Sequence, residues 1–430
     1  MKDYKYRTPG FKALAVNFNL AGVYNSYKIP PGDKVISRAM SLGPVALGYT
    51  TVRSTDTRLQ QSTISVSVPY SSSTYVYNQQ KSTGSNFSPA FSWDLNERFY
   101  RSASWFFEVG NQVTLGFTSQ HSKDTGQQNK NNHLAVADNL VLGFGKGRIE
   151  RVQDAQMALF LLQDLASEGL LNRQFTANEA YQLAQVITDI NNQRVFDFRR
   201  RRKYELTRLD SFFRNSGLAP QTDIRHFTLI NDNWSLAFNP TRLSGANWYI
   251  QLRPGVTYNR YTTNTQQRAT TTESNTKSNL FTLSPVIGYE NYRPLSLKWQ
   301  RNMGISFSYT QYKHNREEEW ISPVGPFKTS TDSSAWQSVA HAFYGFGYYP
   351  STRTQINAVL DLNGTYDKAR QFYLLSTFNL NVQYFIGYRT FLSGAVNARH
   401  NLGKVEINGK KEMSHAFNSD FSVSLSHVLF

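Results

Sequence analysis

Apolar and polar side chains alternate along most of this chain with a period of two, a pattern that suits sheets with one greasy face and little else. In "FNLNVQY", Phe378, Leu380, Val382 and Tyr384 project to one side while Asn379, Asn381 and Gln383 project to the other, because successive Cβ atoms alternate across a strand. Ile356, Ala358, Leu360 and Leu362 oppose Asn357, Asp361 and Asn363, with Val359 the exception on the polar side. Trp248, Ile250, Leu252, Val256 and Tyr258 oppose Gln251, Arg253, Thr257 and Asn259. Phe107, Val109, Val113, Leu115 and Phe117 oppose Glu108, Gln112 and Thr114, and Phe87, Phe91, Trp93 and Leu95 oppose Ser88, Ser92 and Asp94.

A soluble sandwich would alternate as well, since it has a dry face and a wet one. Two features favour a membrane. The apolar sets run for about 9 to 13 residues, the length a tilted strand needs to cross a bilayer. Aromatic residues gather at their ends: Trp93, Tyr100 and Trp105; Tyr289, Tyr292 and Trp299; Tyr348, Tyr349, Tyr384 and Tyr388. Rings with a polar tip settle at the boundary between membrane and water. Only 40% of the residues are hydrophobic, yet 14% are aromatic, a pairing that a polar interior inside an aromatic, lipid-facing skin produces directly. No run of 18 apolar residues exists, so helical spans are excluded. Cysteine is absent, which rules out disulfides, thiolate metal sites and a cysteine nucleophile.

The connections alternate in length. "YPSTR" (349–353), "GYRT" (387–390) and "NYRPLS" (291–296) are tight, whereas "TTNTQQRATTTESNTKS" (262–278), "HNREEEWISPVGPFKTSTDS" (314–333) and "NLGKVEINGKKEM" (401–413) are long and polar, as outer loops would be. Eight spans are legible from Trp248 onward and four between residues 59 and 144, with two more available in 12–52. The expected fold is an all-β transmembrane barrel, antiparallel, of about 12–14 strands, with an inserted α-helical periplasmic subdomain. Residues 1–147 supply the N-terminal strands, 148–247 the helical insertion and 248–430 the C-terminal strands. An even count puts both termini in the periplasm of an outer-membrane protein. The opening "MKDYKYRTPG" has no apolar h-region, so the secretory signal such a barrel needs is expected to have been removed.

Within the insertion the period becomes that of a helix. Val152, Ala155, Leu159, Leu162 and Leu165 make one stripe, and Gly169 is placed to end it. Thr176 with Glu179 gives a capping box for a second helix with the stripe Leu183, Val186, Ile187 and Ile190. A third, from about Arg194 to Asn215, carries Phe196, Leu206, Leu209 and Phe213. Three stripes can bury one another, so a self-contained periplasmic bundle is expected.

"GFGKGRIERVQDAQMAL" followed by "NNQRVFDFRRRRKYEL" resembles the helical insertion of a group of Bacteroidota-type outer-membrane barrels, in which a GxGRIExVxDA run and an NxRxFDxR run recur. The resemblance covers about 70 residues and implies the location and the insertion, with no reaction or substrate. The chain's end, "FSVSLSHVLF", resembles the last strand of bacterial outer-membrane barrels, whose final aromatic residue is read by the barrel assembly machinery. Phe430 fills that place, with Val428 two before it. Phe421, Val423 and Leu425 are in the opposite phase, so either a bulge lies near Ser426 and His427 or the final residues lie below the bilayer.

Candidate lumen-lining residues are Glu108, Gln112, Arg253, Asp361, Asn379, Asn381 and Arg399. Their charges could select ions or could pair to seal a narrow barrel. The run Arg199, Arg200, Arg201, Arg202 and Lys203 could contact anionic headgroups or an acidic partner, or form a solvated helix face paired with Asp197, Glu205 and Asp210. Nucleic acid does not suit the location. For hydrolytic chemistry, His341, His400 and His415 lie near strand residues and Asp361 on a neighbouring strand, and no spacing ties them together. Glu317 to Glu319 could hold a divalent cation but suit hydration better. "GFGKG" (143–147) lacks the following Ser or Thr of a phosphate loop, and its glycines fit a turn from strand to helix. No cofactor or metal is expected.

Three functions follow as expectations. The first is transport or export across the outer membrane, with the bundle gating the lumen or docking a partner through residues 148–247. The second is a structural or assembly component without its own open pore, and the third a lipid-directed enzyme. Outer-membrane lipid and the barrel assembly machinery are the expected partners in all three.

Overall fold

The computed structural model describes residues 1–430 apart from 2–3, 18–19, 30–32, 78–79, 102–103, 194–197, 220–222, 235–241, 268–269, 323–324, 369–370, 387–389, 408–409 and 428–430. Eight strands come first: β1 (Thr8–Asn17), β2 (Leu20–Ile29), β3 (Asp33–Ser54), β4 (Arg58–Tyr77), β5 (Gln80–Phe87), β6 (Ala90–Tyr100), β7 (Trp105–Asp124) and β8 (Gln127–Arg151). Four helices follow: α1 (Gln153–Ser167), α2 (Ala177–Asn192), α3 (Phe198–Asn215) and α4 (Ile224–Trp234). The chain then returns to strand as β9 (Leu243–Gln267), β10 (Thr270–Pro294), β11 (Trp299–Ser322), β12 (Gly325–Ser351), β13 (Thr354–Asp367), β14 (Phe372–Phe385), β15 (Thr390–Ile407) and β16 (Lys410–His427).

All sixteen strands belong to one antiparallel sheet, paired in chain order. β1 and β2 lie end to end along β3, and β5 and β6 lie end to end between β4 and β7, so the sheet has fourteen staves. The break between β5 and β6 falls at Pro89, level with Pro69 on β4, and the β3–β4 register shifts between Leu42 and Val45, beside Pro44. Proline has no N–H for the ladder, which accounts for the break at that level. β1 and β16 are the ends of this order, and no ladder between them is recorded among the described residues. The outward side chains of β16 are correspondingly barer, Phe421 being 82% exposed against 49% for Phe307 in mid-sheet.

The alternation reads out as predicted. Large apolar side chains on the outward face stay exposed, with Ile305 at 62%, an apolar skin that lipid must cover. Trp248 and Tyr258 on β9, and Trp299 and Tyr309 on β11, bracket that skin ten positions apart. At about 3.3 Å per residue and a tilt of about 40°, the band is roughly 25 Å tall.

The strands correct one expectation. The segments read as long outer loops are strands: the β9–β10 ladder runs to Gln267↔Thr270, β11–β12 to Ser322↔Gly325 and β15–β16 to Ile407↔Lys410. Their Thr, Ser and Asn residues hold an extended backbone through cross-strand pairs without an apolar face. Of the two alternatives for the chain's end, the bulge near Ser426 and His427 is the one set aside, since β15 and β16 pair in unbroken register from Thr390↔His427. Val428 and Phe430 lie outside the described residues.

The helices fill the connection between Arg151 and Leu243, which are themselves ladder partners. α1 ends as Gly169 turns to φ +67, and α2 carries the Thr176–Glu179 capping box. The expected three helices become four. α4 is capped by Asp223, whose Oδ1 accepts from the His226 amide at 2.9 Å, and its buried stripe of His226, Ile230, Asn233 and Trp234 is too polar to read as apolar periodicity. Nor is the bundle self-contained: Tyr4 and Tyr6 from the N-terminal segment are part of its core, beside Leu162, Leu183, Leu209 and Trp234, and Phe385 of β14 packs against it.

Ile305 stands on the outward face, six positions from the girdle residue Trp299. Ile305→Arg is expected to cost about 2–4 kcal/mol of folding stability in lipid vesicles, measured by denaturant titration, because a cation there meets the hydrocarbon core. Ser306→Arg, facing the lumen, should cost clearly less, and equal losses would argue against this assignment of faces.

Candidate functional site

Inward-facing side chains change character along the sheet. At the helical end Phe106 and Glu108 on β7, Tyr249 and Gln251 on β9, and Val286 on β10 are buried, whereas Gln112, Thr114 and Arg253 farther up are exposed. Glycines make this packed collar possible. Gly145, Gly288, Gly304 and Gly347 face inward, and the rings of Phe106, Tyr249, Phe343 and Tyr349 respectively lie across them. A Cβ on Gly288 would stand 2.4 Å from Tyr249 Cζ, so a side chain there would force the ring off the wall. Gly143 and Gly145 are therefore mid-strand packing positions, which corrects their assignment to a turn. Gly147, with φ +108 and Ala246 O 2.1 Å from where its Cβ would be, is also within β8, paired with Asn247, and the ladder continues to Arg151.

A polar chain is set into the collar. Glu108, fully buried, accepts from Asn96 Nδ2 at 2.6 Å and Gln251 Nε2 at 2.8 Å, with Arg98 Nη2 at 3.3 Å. Gln251 in turn accepts from Arg253 Nε at 3.0 Å and Nη2 at 2.5 Å. These residues come from β6, β7 and β9, and the missing side chain at Gly143 on β8 lets Gln251 reach across to Glu108. Buried charge is costly unless paired, and here the carboxylate is saturated by donors.

Farther round the wall His341 Nε2 lies 2.9 Å from Asp361 Oδ2. Sequence spacing could not link them, but the β12–β13 register puts Asp361 opposite Phe343, diagonal to His341. Ser306 is the direct ladder partner of His341, yet no hydrogen bond joins the two among the described residues, so the nucleophile–base contact of a hydrolase is not made. His400 and His415 stack on each other at 5.9 Å. Gln112, Asn379, Asn381 and Arg399 also face inward but belong to none of these networks.

The helices are fastened to the rim at several points. Arg242, fully buried, donates from Nε to Gln300 Oε1 at 2.8 Å and from its terminal nitrogens to the carbonyls of Ser296, Leu297 and Trp299 at 2.5–2.7 Å. Burial pulls its pKa down to about 10, which leaves it charged at neutral pH, solvated by the β10–β11 turn. Gln156 Nε2 reaches Leu297 O, Thr352 Oγ1 donates to Asn233 Oδ1 at 3.1 Å, and Arg353 pairs with Asp232. On the other side Tyr4 Oη lies 2.8 Å from Thr188 Oγ1, which donates to Asp154 Oδ2 at 2.6 Å. Arg7 binds Asp56 and Glu150, and Arg148 also meets Glu150, at 2.8 Å. The helices themselves thus meet the sheet's rim at the β10–β11 and β12–β13 turns, at Phe385 of β14 and at Tyr4 before β1.

The basic run divides. Arg201 Nε pairs with buried Glu205 at 2.8 Å, which also accepts from Trp234 Nε1 at 2.7 Å, and Arg202 holds Asn231 of α4. Arg199, Arg200 and Lys203 remain exposed. Asp197 lies outside the described residues, and Asp210 pairs with Arg214. Sequence reasoning missed Arg98, Arg242 and the glycine collar, although the repeated Gly-Phe-Gly at 143–145 and 345–347, glycines inward and Phe outward, was a usable signal.

No family model and no curated protein matches the chain. Among solved structures it is similar to the ferric yersiniabactin uptake receptor FyuA from Yersinia pestis, at 7% identity over 96% of this chain and 72% of that one, with a TM-score of 0.37. It is also similar to the translocator domain of the autotransporter NalP from Neisseria meningitidis (7%, 88% and 90%, TM-score 0.29) and to the P. putida toluene transporter TodX (10%, 100% and 91%, TM-score 0.24). At such identities and scores the likeness adds nothing to what the sheet itself shows.

Asp154 is 3% exposed, and burial, against the hydrogen bonds from Thr188 and Asn191, pushes its carboxyl up to about 6. An unfolded aspartate titrates near 3.9, so between roughly pH 4 and 6 the folded bundle keeps a proton the unfolded chain has released. Bundle stability should therefore be greatest at the acid end and fall as pH rises through that window. Hydrogen exchange of the α1 and α2 amides, corrected for intrinsic rate, is expected to show this slope in the wild type and a flattened one in Asp154→Asn. Gly288→Val should displace Tyr249 and loosen the collar, raising solvent quenching of aromatic fluorescence without changing strand content.

Proposed function

We propose that the chain is an outer-membrane barrel that passes solute or cargo between the outside and the periplasm, with the helical bundle as its periplasmic gate. The observation that carries this is the gradient inside the sheet: exposed polar side chains at one end lead down to a packed collar, and the helices attach to the rim on the collar's side. A structural strut would need no such vestibule. The even number of staves brings the start of β1 and the end of β16 to the same rim as the helices, which supports placing that rim in the periplasm. The anchors at the β10–β11 and β12–β13 turns are hydrogen bonds and an ion pair, and contacts of that kind exchange more readily than a core.

A second reading has one observation in its favour. Exposed Arg199 and Lys203 at the start of α3 give the bundle a basic surface suited to an acidic envelope protein or to inner-leaflet headgroups, which fits a docking component.

Because Arg151 and Leu243 are ladder partners, residues 152–242 can be replaced by an Asn-Gly hairpin turn without stretching the sheet. In planar bilayers the gating reading expects a small or intermittent conductance from the full chain and a several-fold larger, steady one from this deletion. An inserted deletion variant that conducts no better than the full chain would refute the gate, and co-purification of an envelope protein lost with the same deletion would favour docking.

A further inference from the structure

On the outward face of β10 to β13, at the end of the apolar band remote from the helices, lies a cavity of about 670 Å³. Most of its strand residues are of outward parity, among them Phe281, Leu283, Tyr309, Trp336 and Lys313, while Thr282, Tyr312, Ser333 and Ala335 are of the other parity and Tyr312 bonds Gln337 inside the lumen at 2.8 Å. Tyr309 and Trp336 stack with centroids 6.0 Å apart, and Tyr366 abuts Trp336 at 5.6 Å, so the floor is a continuous piece of the far aromatic girdle.

Two cations stand on the water side of this floor. Lys313 lies four positions beyond Tyr309 on β11, exposed, and has no hydrogen-bond or ion-pair partner among the described residues. Lys368 follows Tyr366 by two positions, and its Nζ donates to Ser334 O at 2.5 Å, which leaves two of its three protons for another acceptor. The lining holds one carboxylate, Asp332. It accepts from Asn315 Nδ2 at 2.6 Å and makes no ion pair with either lysine. An ammonium group at the edge of a hydrocarbon layer is stabilised strongly by an anion at the same depth, because the local dielectric is low.

The geometry points to a seat for a phosphorylated acyl lipid of the leaflet at that end. Lys313 and Lys368 take the phosphate oxygens, and Phe281, Leu283 and Tyr309 line the path of one acyl chain. A ligand that carries a headgroup phosphate and hydrocarbon together satisfies both halves of the site at once. The assignment rests on the membrane placement proposed above.

The test uses the full chain refolded into phosphatidylcholine vesicles doped with dioleoyl phosphatidic acid, then extracted in mild detergent for native mass spectrometry of retained lipid. Phosphatidic acid should be retained over phosphatidylcholine, and the double variant K313Q/K368Q should lose that retention by on the order of tenfold. K277Q, which removes an outward lysine outside the cavity, should behave as the wild type. The seat is overturned if the double variant retains phosphatidic acid unchanged, if phosphatidylcholine is retained equally, or if inorganic phosphate displaces the lipid. Failure of the protein to float with the vesicles at all would instead overturn the membrane placement, and the seat with it.

Discussion

Hydrocarbon offers no hydrogen bonds, and that single deficiency governs this molecule. Every backbone N–H and C=O within the band must find its partner in the protein, and the long antiparallel ladders between successive staves supply them. Once the ladders are fixed, side-chain parity follows, with the odd and even residues of each stave assigned to lipid or lumen without appeal. The three prolines on adjacent staves show the rule from the other side, since the ladder breaks where they fall.

The lumen obeys a different economy, that of a protein interior. Large rings lie flat only where the neighbouring stave offers a glycine, and the Arg98–Glu108–Gln251 chain closes only because Gly143 leaves a gap between β7 and β9. Charge in the collar thus pairs as in a buried network, whereas Arg253 and the residues above it meet water. The charged side chains of the lumen differ by level, hydrogen-bonded in the collar and exposed higher up.

Much of the fold was legible because parity is a local signal. The staves, their outward faces, the Thr176 cap and the helix stop at Gly169 were each visible in a few neighbouring residues. What stayed hidden depended on register or on burial without apolarity. His341 and Asp361 meet through a diagonal that only a fixed ladder defines. Arg242 looks like any surface arginine until its carbonyl cage is seen, and α4 buries His226 and Asn233 where a hydrophobic stripe was sought. The polar hairpins beyond the membrane were misread as loops because they alternate nothing, although Thr-rich strands pair without doing so.

The meeting of Arg151 with Leu243 has a consequence for how the chain acquires its shape. Zipping β8 against β9 requires closing a ring that includes the whole helical segment, and that entropy must be supplied before any contact between the two halves of the sheet repays it. Helices form from near neighbours on far shorter timescales. If α1 to α4 collapse first, they bring the two ends together and turn a remote encounter into a short one. In that order of events the helical segment would clamp β8 to β9, with Tyr4 and Tyr6 joining its core once the N-terminal segment arrives.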